Sequence, residues 1–320
     1  MRSKPFERPQ ALKTGSRIAL IAPAGVLLED DDLQRAAETC RELGFDPVIG
    51  RHAERRYGYL GGRDDERLDD LNAAFRNPDF AGIWCLRGGY GVTRILPRVD
   101  YAAFARTPKV LIGYSDITAL LNAVTRVTGI VTFHGPVARA ELTSFSRKHL
   151  ELAVCRCAPA GQLGRVGQPD AVLGARKGRI VALRPGIAEG TLAGGNLTLL
   201  QCLIGTPYFP DLTGAILFIE DVGEDLYRVD RILAHLRTVA AFDRLAGVAV
   251  GQFTNMKKGT DDGALGFDEV LDTYFGPLGI PVAHGFPIGH VDDQWTMPLG
   301  VRARLDAGQG ELVLLEAAVA

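Results

Sequence analysis

The sequence has little cysteine, almost no net charge and no long apolar run. Its 320 residues include five Cys, an odd number scattered along the chain, which argues against a disulfide framework and favours reduced thiols in a cytoplasmic enzyme. The 36 Lys and Arg nearly balance 38 Asp and Glu, so the net charge is only −2. A net charge this small gives no reason to expect binding to nucleic acid or to an anionic membrane. No apolar run approaches the roughly 20 residues of a membrane span. Residues 1–20 also lack the apolar segment of a signal peptide.

The composition that is present is typical of a globular protein, 47% hydrophobic and 23% charged. Residues 17–23 (RIALIAP) predict a buried strand, and residues 31–43 place apolar side chains on one face of a helix. Further strands are predicted at 46–49, 82–86, 110–113 and 130–133, and further helices at 64–75 and 116–126. This alternation predicts an α/β domain with a parallel sheet that is covered on both faces.

The second half of the chain predicts another α/β domain after a connecting segment. Residues 141–190 are rich in Gly and Pro and are interpreted as an inter-domain connection, with one short helix near 146–155. Residues 190–203 predict a strand, a glycine turn and a helix. Strands at 215–219 and 246–250, helices at 226–239 and 267–275, and a terminal hairpin of 299–305 and 311–315 follow. The predicted division is 1–141, a linker at 142–189, and 190–320.

Ser115 is the sharpest candidate for chemistry. The sequence VLIGYSDI, residues 110–117, predicts a buried strand that ends at Gly113 and a helix that opens at Asp116, with Ser115 on the turn between them. A helix N-terminus at the end of a strand offers free N–H groups to an oxyanion. The pattern is not G-x-S-x-G, and Ser115 could instead serve only as a helix cap.

A serine nucleophile needs a base and an orienting acid, and the residues alone leave both choices open. His290 ends a loop built from Pro and Gly, His284 borders the same turn, and His134 ends a strand of the first sheet. Among the acids, Glu220 ends an apolar strand, where a buried carboxylate requires a partner. Asp221 and Glu224 are the alternatives for the acid.

A glycine-rich loop, Arg87-Gly88-Gly89-Tyr90-Gly91, follows the third predicted strand. Glycines there allow the backbone to approach a ligand closely, and their N–H groups could form half of an oxyanion hole. The loop matches neither G-x-G-x-x-G nor a P-loop, so nucleotide binding has weak support. The pair Cys155-x-Cys157 has no second ligand pair for zinc at a useful spacing, so these cysteines are interpreted as structural.

Together these segments resemble the LD-carboxypeptidase family of serine peptidases, also called muramoyltetrapeptide carboxypeptidases. The resemblance rests on the order and spacing of eight short motifs along nearly the whole chain. They lie at 18–25, 59–75, 87–91, 113–120, 134–136, 194–200, 220–233 and 285–290.

The resemblance implies specific roles for residues of this chain. Ser115 in GYSD, Glu220 in IEDVGE and His290 in GFPIGH match the family's catalytic triad. Backbone N–H groups of Gly89 and Asp116 are expected to form the oxyanion hole, and Gly88, Tyr90 and His134 are expected to bind substrate. The implied fold is a flavodoxin-like N-terminal domain and a C-terminal α/β domain built around a small β-barrel. The site would lie in the cleft between them, often completed in a homodimer.

The implied reaction is removal of the terminal D-Ala from murein tetrapeptide by a cytoplasmic enzyme of peptidoglycan recycling, and it implies no metal and no cofactor. A related branch resembles microcin C immunity peptidases, which cleave peptide-nucleotide or acyl-sulfamoyl-adenylate conjugates. Residues 141–190 contain no Trp or Tyr, and Asp-Val-Gly-Glu follows Glu220, which favours the murein branch. A non-catalytic peptide- or nucleotide-binding protein is a further alternative, and the intact Ser115, Glu220 and His290 argue against it.

Overall fold

The computed structural model describes residues 5–159, 161–162, 179–256 and 265–320. The first half contains β1 (Arg17–Ile21), α1 (Asp32–Glu42), β2 (Asp46–Ile49), α2 (Asp64–Arg76), β3 (Gly82–Cys85), α3 (Val92–Ile95), α4 (Tyr101–Arg106), β4 (Val110–Gly113), α5 (Thr118–Thr128) and β5 (Thr132–His134). The remainder contains α6 (Ser144–Val154), β6 (Gly161–Gln162), β7 (Val181–Arg184), β8 (Ile187–Asn196), α7 (Leu197–Leu203), β9 (Ala215–Val222), α8 (Leu226–Thr238), β10 (Gly247–Thr254), α9 (Phe267–Phe275), β11 (Val282–His284), β12 (Met297–Leu299), β13 (Arg302–Asp306) and β14 (Glu311–Leu314).

The first sheet has the strand order β2-β1-β3-β4-β5, all parallel, with β12 added antiparallel at the β5 edge. Strands β3, β4 and β5 are buried along their whole length, as expected for a sheet covered on both faces. This is the flavodoxin-like order, in which β1 and β3 run in neighbouring positions while their connections leave in opposite directions. Ligands bind at the carboxyl ends of strands at such a point.

The second sheet is mixed and curled into a half-barrel, with the order β6-β14-β13-β8-β9-β10-β11-β7. Helices α7, α8 and α9 cover a second apolar core on this sheet, which includes Leu217, Leu233 and Phe275. The fold class predicted from the sequence is confirmed. The predicted terminal hairpin also forms, but its first strand begins at Arg302 rather than at Leu299, and residues 303–306 pair with 311–314.

Strand β8 connects the two halves of the molecule. It continues through Gly194 and Gly195 to Asn196, paired in parallel with β9, so the glycine turn predicted in 190–203 is wrong. Both glycines have positive φ, and a Cβ on Gly195 would lie 2.6 Å from Thr118 Cγ2. The lack of a side chain at Gly195 therefore lets β8 approach α5 closely, whereas a side chain at Gly194 would meet Phe218 of β9. Asn122 Nδ2 donates to the Gly194 carbonyl at 3.0 Å across this contact.

The two sheets do not follow the predicted division of the sequence in every strand. Strand β12 lies within the predicted second domain but pairs with β5 of the first sheet. Strand β7 and the first residues of β8 lie within the predicted linker but belong to the second sheet. Strand β9, which carries Glu220, pairs with β8, and β8 packs against the start of α5, just after Ser115.

Candidate active site

Ser115 lies on a tight turn between β4 and α5. Its φ of +63° is in the left-handed region, which is uncommon for a residue with a side chain and is frequent at functional sites. A 3-10 turn over Ser115–Ile117 precedes α5, so the α-helix begins two residues later than predicted. The turn presents Ser115 at the carboxyl end of β4, where sites of α/β proteins form.

The glycine-rich loop after β3 passes directly against this serine. A Cβ on Gly88 would lie 2.7 Å from Ser115 Cβ and 2.9 Å from its Oγ, so only glycine fits there. The Asp116 side chain fixes the loop, because its Oδ2 accepts a hydrogen bond from the Val92 N–H at 2.9 Å. Asp116 is buried, and burial raises the pKa of its carboxyl to about 6. The two predicted oxyanion donors thus belong to segments that a buried carboxylate holds together.

Glu220 and His290 form a hydrogen-bonded pair beside this turn. Glu220 on β9 is completely buried, and its Oε2 lies 2.8 Å from His290 Nδ1. Burial raises the pKa of the Glu220 carboxyl, while the hydrogen bond and the charge of His290 act in the opposite direction. The Tyr114 ring lies 4.8 Å from the His290 ring, centroid to centroid, which places the imidazole next to the residue preceding Ser115.

The loop that carries His290 is held by its own backbone and by two glutamines. A Cβ on Gly289 would lie 2.7 Å from Glu220 Cγ, so the glycine permits the close pairing of the acid and the base. Gln294 Nε2 donates to the Gly289 carbonyl at 2.9 Å. Gln252 Nε2 donates to the Gly285 carbonyl at 2.8 Å. These contacts orient the imidazole of His290 towards Glu220.

His134 lies behind the pair rather than on the surface of the cleft. Its side chain is completely buried, and its expected contact with substrate stays a prediction. Burial, and then the charge of His290, lower the pKa of His134 to about 3, so the ring is neutral at pH 7. Its Nε2 lies 4.0 Å from Glu220 Oε1, and neither atom has a hydrogen-bond partner.

The other candidates for base and acid lie elsewhere or have other partners. His284 faces Asp268, with 3.3 Å between Nε2 and Oδ1. Asp221 accepts hydrogen bonds from Thr198 N and Oγ1 at 3.0 and 2.8 Å and so caps α7. Glu224 lies 3.8 Å from Arg228 at the surface. Of the three acids, Glu220 alone is paired with His290 in the described part of the chain.

A cavity of about 650 Å³ opens beside the glycine-rich loop. Its lining includes Val26 and Leu28 after β1, Arg56, Tyr59, and Arg87, Gly89 and Tyr90 after β3. The exposed rings of Tyr59 and Tyr90 meet edge to face, with their centroids 5.7 Å apart. The expected substrate residue Tyr90 therefore lies at the surface of this cavity.

Other features bear on cofactors, membranes and thiols. Among the described residues, one group could offer a metal three ligand atoms: His52, Asp69 and Asp70, which are not part of the Ser115 site. No helix in the described ranges is long and apolar enough to cross a bilayer. All five cysteines are free thiols.

Several residues of the site were missed by sequence analysis. Four side chains support the reacting groups through contacts between distant segments: those of Asp116, Tyr114, Gln252 and Gln294. A polar side chain next to a predicted turn was the only local signal for Asp116, and none existed for the two glutamines.

Comparison with known proteins gives matches along the whole chain. Residues 18–135 match the model of the LD-carboxypeptidase N-terminal domain, and residues 189–305 match that of the LD-carboxypeptidase C-terminal domain. The murein tetrapeptide carboxypeptidase of Pseudomonas aeruginosa is 35% identical over 97% of this chain and 99% of its own length. The probable murein peptide carboxypeptidase of Bacillus subtilis is 34% identical over 96% of this chain and 94% of its own length.

Solved structures show the same fold. The muramoyltetrapeptide carboxypeptidase from Oxalobacter formigenes superposes with a TM-score of 0.79 at 32% identity, covering 93% of this chain and 98% of its own. The microcin C7 self-immunity protein MccF in complex with aspartyl sulfamoyl adenosine has a TM-score of 0.86 at 26% identity, covering 98% of this chain and 99% of its own.

Proposed function

This chain belongs to the LD-carboxypeptidase family, and we propose that it removes the terminal D-Ala from murein tetrapeptide, with Ser115 as the nucleophile. The resemblance predicted from the sequence is confirmed, and the protein is a serine-type carboxypeptidase, a hydrolase. The observation that carries the proposal is the buried hydrogen bond between Glu220 and His290 next to the strained turn of Ser115.

His290 acts as the general base in this mechanism. Its Nδ1 is bonded to Glu220, which leaves Nε2 to accept the proton of Ser115 Oγ. The Ser115 oxygen then attacks the carbonyl of the bond between diaminopimelate and D-Ala. The Glu220 carboxylate holds the required tautomer and stabilises the imidazolium that forms. Neutral His134 does not compete for this proton at pH 7, since its pKa is about 3.

The oxyanion of the tetrahedral intermediate is bound by the backbone N–H groups of Gly89 and Asp116. Such donors each contribute about 3–4 kcal/mol to transition-state stabilisation. Collapse of the intermediate breaks the C–N bond, and His290 returns the proton to the amine of the leaving D-Ala. Water, deprotonated by His290, then hydrolyses the acyl-enzyme and restores Ser115.

Mass spectrometry of murein tetrapeptide after incubation with the pure protein tests this function. We expect the loss of one alanine residue with the wild type and an unchanged tetrapeptide with Ser115→Ala. An unchanged tetrapeptide with folded wild-type protein would contradict the proposal. The similarity to MccF supplies the second candidate, so an aspartyl sulfamoyl adenosine substrate should be assayed in parallel.

The finer predictions on location, role and assembly belong to the same proposal. A role in peptidoglycan recycling and a cytoplasmic location follow from the proposed substrate, a murein peptide taken back into the cell. A homodimer is implied by the family resemblance. Light scattering after size-exclusion chromatography measures the mass of the particle, and a mass of one 34.5 kDa chain would contradict the dimer.

A further inference from the structure

We infer that Arg87 binds the free carboxylate of the residue that is released, and that the cavity beside it is the leaving-group subsite. The inference rests on the proposed function and assigns a residue to carboxylate recognition. It is carried by the position of the cavity, by the lack of an acidic partner for Arg87 among the described residues, and by the place of Arg87 in the loop that packs against Ser115.

The cavity lies where the topology of the first sheet creates a crevice. In the strand order β2-β1-β3-β4-β5, the connection after β1 leads to one side of the sheet and the connection after β3 leads to the other. The loops that follow β1 and β3 therefore diverge. Val26 and Leu28 follow β1, while Arg87 and Tyr90 follow β3, and all four line the cavity. A ligand is expected at this point of an open α/β sheet.

The guanidinium of Arg87 is held in place without an acidic partner. It donates to the Val26 carbonyl, and no carboxylate of the described residues lies within ion-pair distance of it. Asp32, the nearby carboxylate, is bonded to Arg35 at 2.9 Å and to Leu28 N at 2.9 Å, and lies 3.4 Å from Arg139. Partial burial, and then the positive charge of Arg139, lower the pKa of Arg87, while the charge of Asp32 acts in the opposite direction. An anion bound in the cavity would offset the two lowering effects further.

Arg87 belongs to the glycine-rich loop that packs against Ser115. A Cβ on Gly89 would lie 4.0 Å from Arg87 Cζ, and one on Gly88 would lie 2.7 Å from Ser115 Cβ. The terminal carboxylate of the substrate is three bonds from the scissile carbonyl carbon, closer than its other carboxylates. A cation next to the oxyanion loop therefore matches the terminal carboxylate best.

The size of the cavity supports recognition by charge. At about 650 Å³ it is far larger than one alanine residue, so its walls cannot position D-Ala by shape alone. A planar guanidinium can bind a carboxylate through two parallel hydrogen bonds, which fixes both position and orientation. Arg56 also lines the cavity but is exposed, whereas Arg87 is half-buried and held against Val26, so Arg87 is the cation assigned to the terminal carboxylate.

The test compares murein tetrapeptide with the same peptide carrying a C-terminal amide, in the wild type and in Arg87→Gln. We expect the wild type to prefer the free acid by about 10- to 100-fold in kcat/KM, as for a charge-assisted hydrogen-bonded pair. In Arg87→Gln the preference should fall to near one, because kcat/KM drops for the acid and hardly changes for the amide.

Matched variants make the result specific to this side chain. Arg41→Gln, at an exposed position in the last turn of α1, should retain the wild-type preference. Three results would overturn the assignment. Arg87→Gln could keep the wild-type preference for the free acid, or it could lose activity equally on both substrates. The preference could also be lost in Arg56→Gln instead of in Arg87→Gln. If the wild type itself released no D-Ala, the proposed function would fail rather than this inference. Thermal unfolding of each variant separates misfolding from loss of binding.

Discussion

The two sides of the proposed site differ in how they are built. Behind Ser115, the groups around Glu220 are buried and are held by short hydrogen bonds from distant segments. In front, Tyr59, Arg87 and Tyr90 line an open cavity and are partly exposed. In a buried environment with a low dielectric constant, each polar contact strongly affects the protonation and orientation of its side chains. Contacts at the exposed cavity are screened by water. We therefore expect changes behind the serine to alter kcat and stability, and changes in front to alter substrate selection.

The largest effect is expected for Glu220→Gln. The amide is isosteric but stabilises the wrong tautomer of His290 and does not balance the imidazolium, so kcat should fall by about 10⁴-fold. Steady-state kinetics on murein tetrapeptide measure this loss. Glu224→Gln, at the surface beyond the same strand, is the matched control and should retain activity. An equal loss of kcat in the two variants would show that Glu220 is not the acid that orients His290.

The second effect concerns stability and pH at Asp116, which lies between the two sides. Its folded pKa of about 6 exceeds the ordinary 3.8, so the folded state keeps a proton that the unfolded chain releases, and stability falls as pH rises from 4 to 6. The difference of 6 − 3.8 = 2.2 corresponds to about 3 kcal/mol.

Asp116→Asn removes this titration but keeps an oxygen that can accept from Val92 N–H. Its free energy of unfolding relative to the wild type should rise by up to about 3 kcal/mol between pH 4 and pH 7. Urea unfolding at several pH values measures the difference. A difference that is constant with pH would show that Asp116 does not titrate in this range.

A smaller effect is expected for His134→Phe, behind the catalytic pair. Phe fills most of the volume but removes the dipole of the neutral imidazole, whose Nε2 lies 4.0 Å from Glu220 Oε1 in a buried environment, so kcat should fall about tenfold. The acid limb of the pH profile should move to higher pH, because the Glu220 carboxylate loses a stabilising dipole. Loss of activity without a shift of the acid limb would indicate only a packing role.

The smallest effect is expected in front, for Tyr90→Ala. Tyr90 is half exposed and contacts the Tyr59 ring, so its removal should raise KM about threefold and leave stability within about 0.5 kcal/mol. Initial rates across a range of tetrapeptide concentrations separate KM from kcat. A fall in kcat at unchanged KM would contradict the distinction between the two sides.

Much of the fold could be predicted from the sequence, because strands and helices have local periodicities. The β2 strand and α9 form at the predicted residues, and most other boundaries differ by one to a few residues. The prediction failed at Gly194 and Gly195, where glycines indicated a turn but a strand runs through them. The reason is tertiary: the strand there approaches Thr118, and glycine is needed for clearance rather than for a turn.

The site could be predicted only in part. Ser115 on its turn and the glycine-rich loop are local signals, whereas the residues alone left three histidines and three acids open. The family resemblance selected Glu220 and His290, and these two are hydrogen bonded in the structure. Their roles in catalysis stay predictions until the variants are measured.

The sequence by itself determined the alternation of strands and helices, the family, and the turn on which Ser115 lies, because these depend on short-range patterns. The tertiary structure decided that His290 meets Glu220 across 70 residues, that β12 joins the first sheet, and that Arg87 has no acidic partner among the residues that the structure describes. Each of these depends on which distant segments pack together, and the free energy of a buried pair or an unpaired charge arises only once they do.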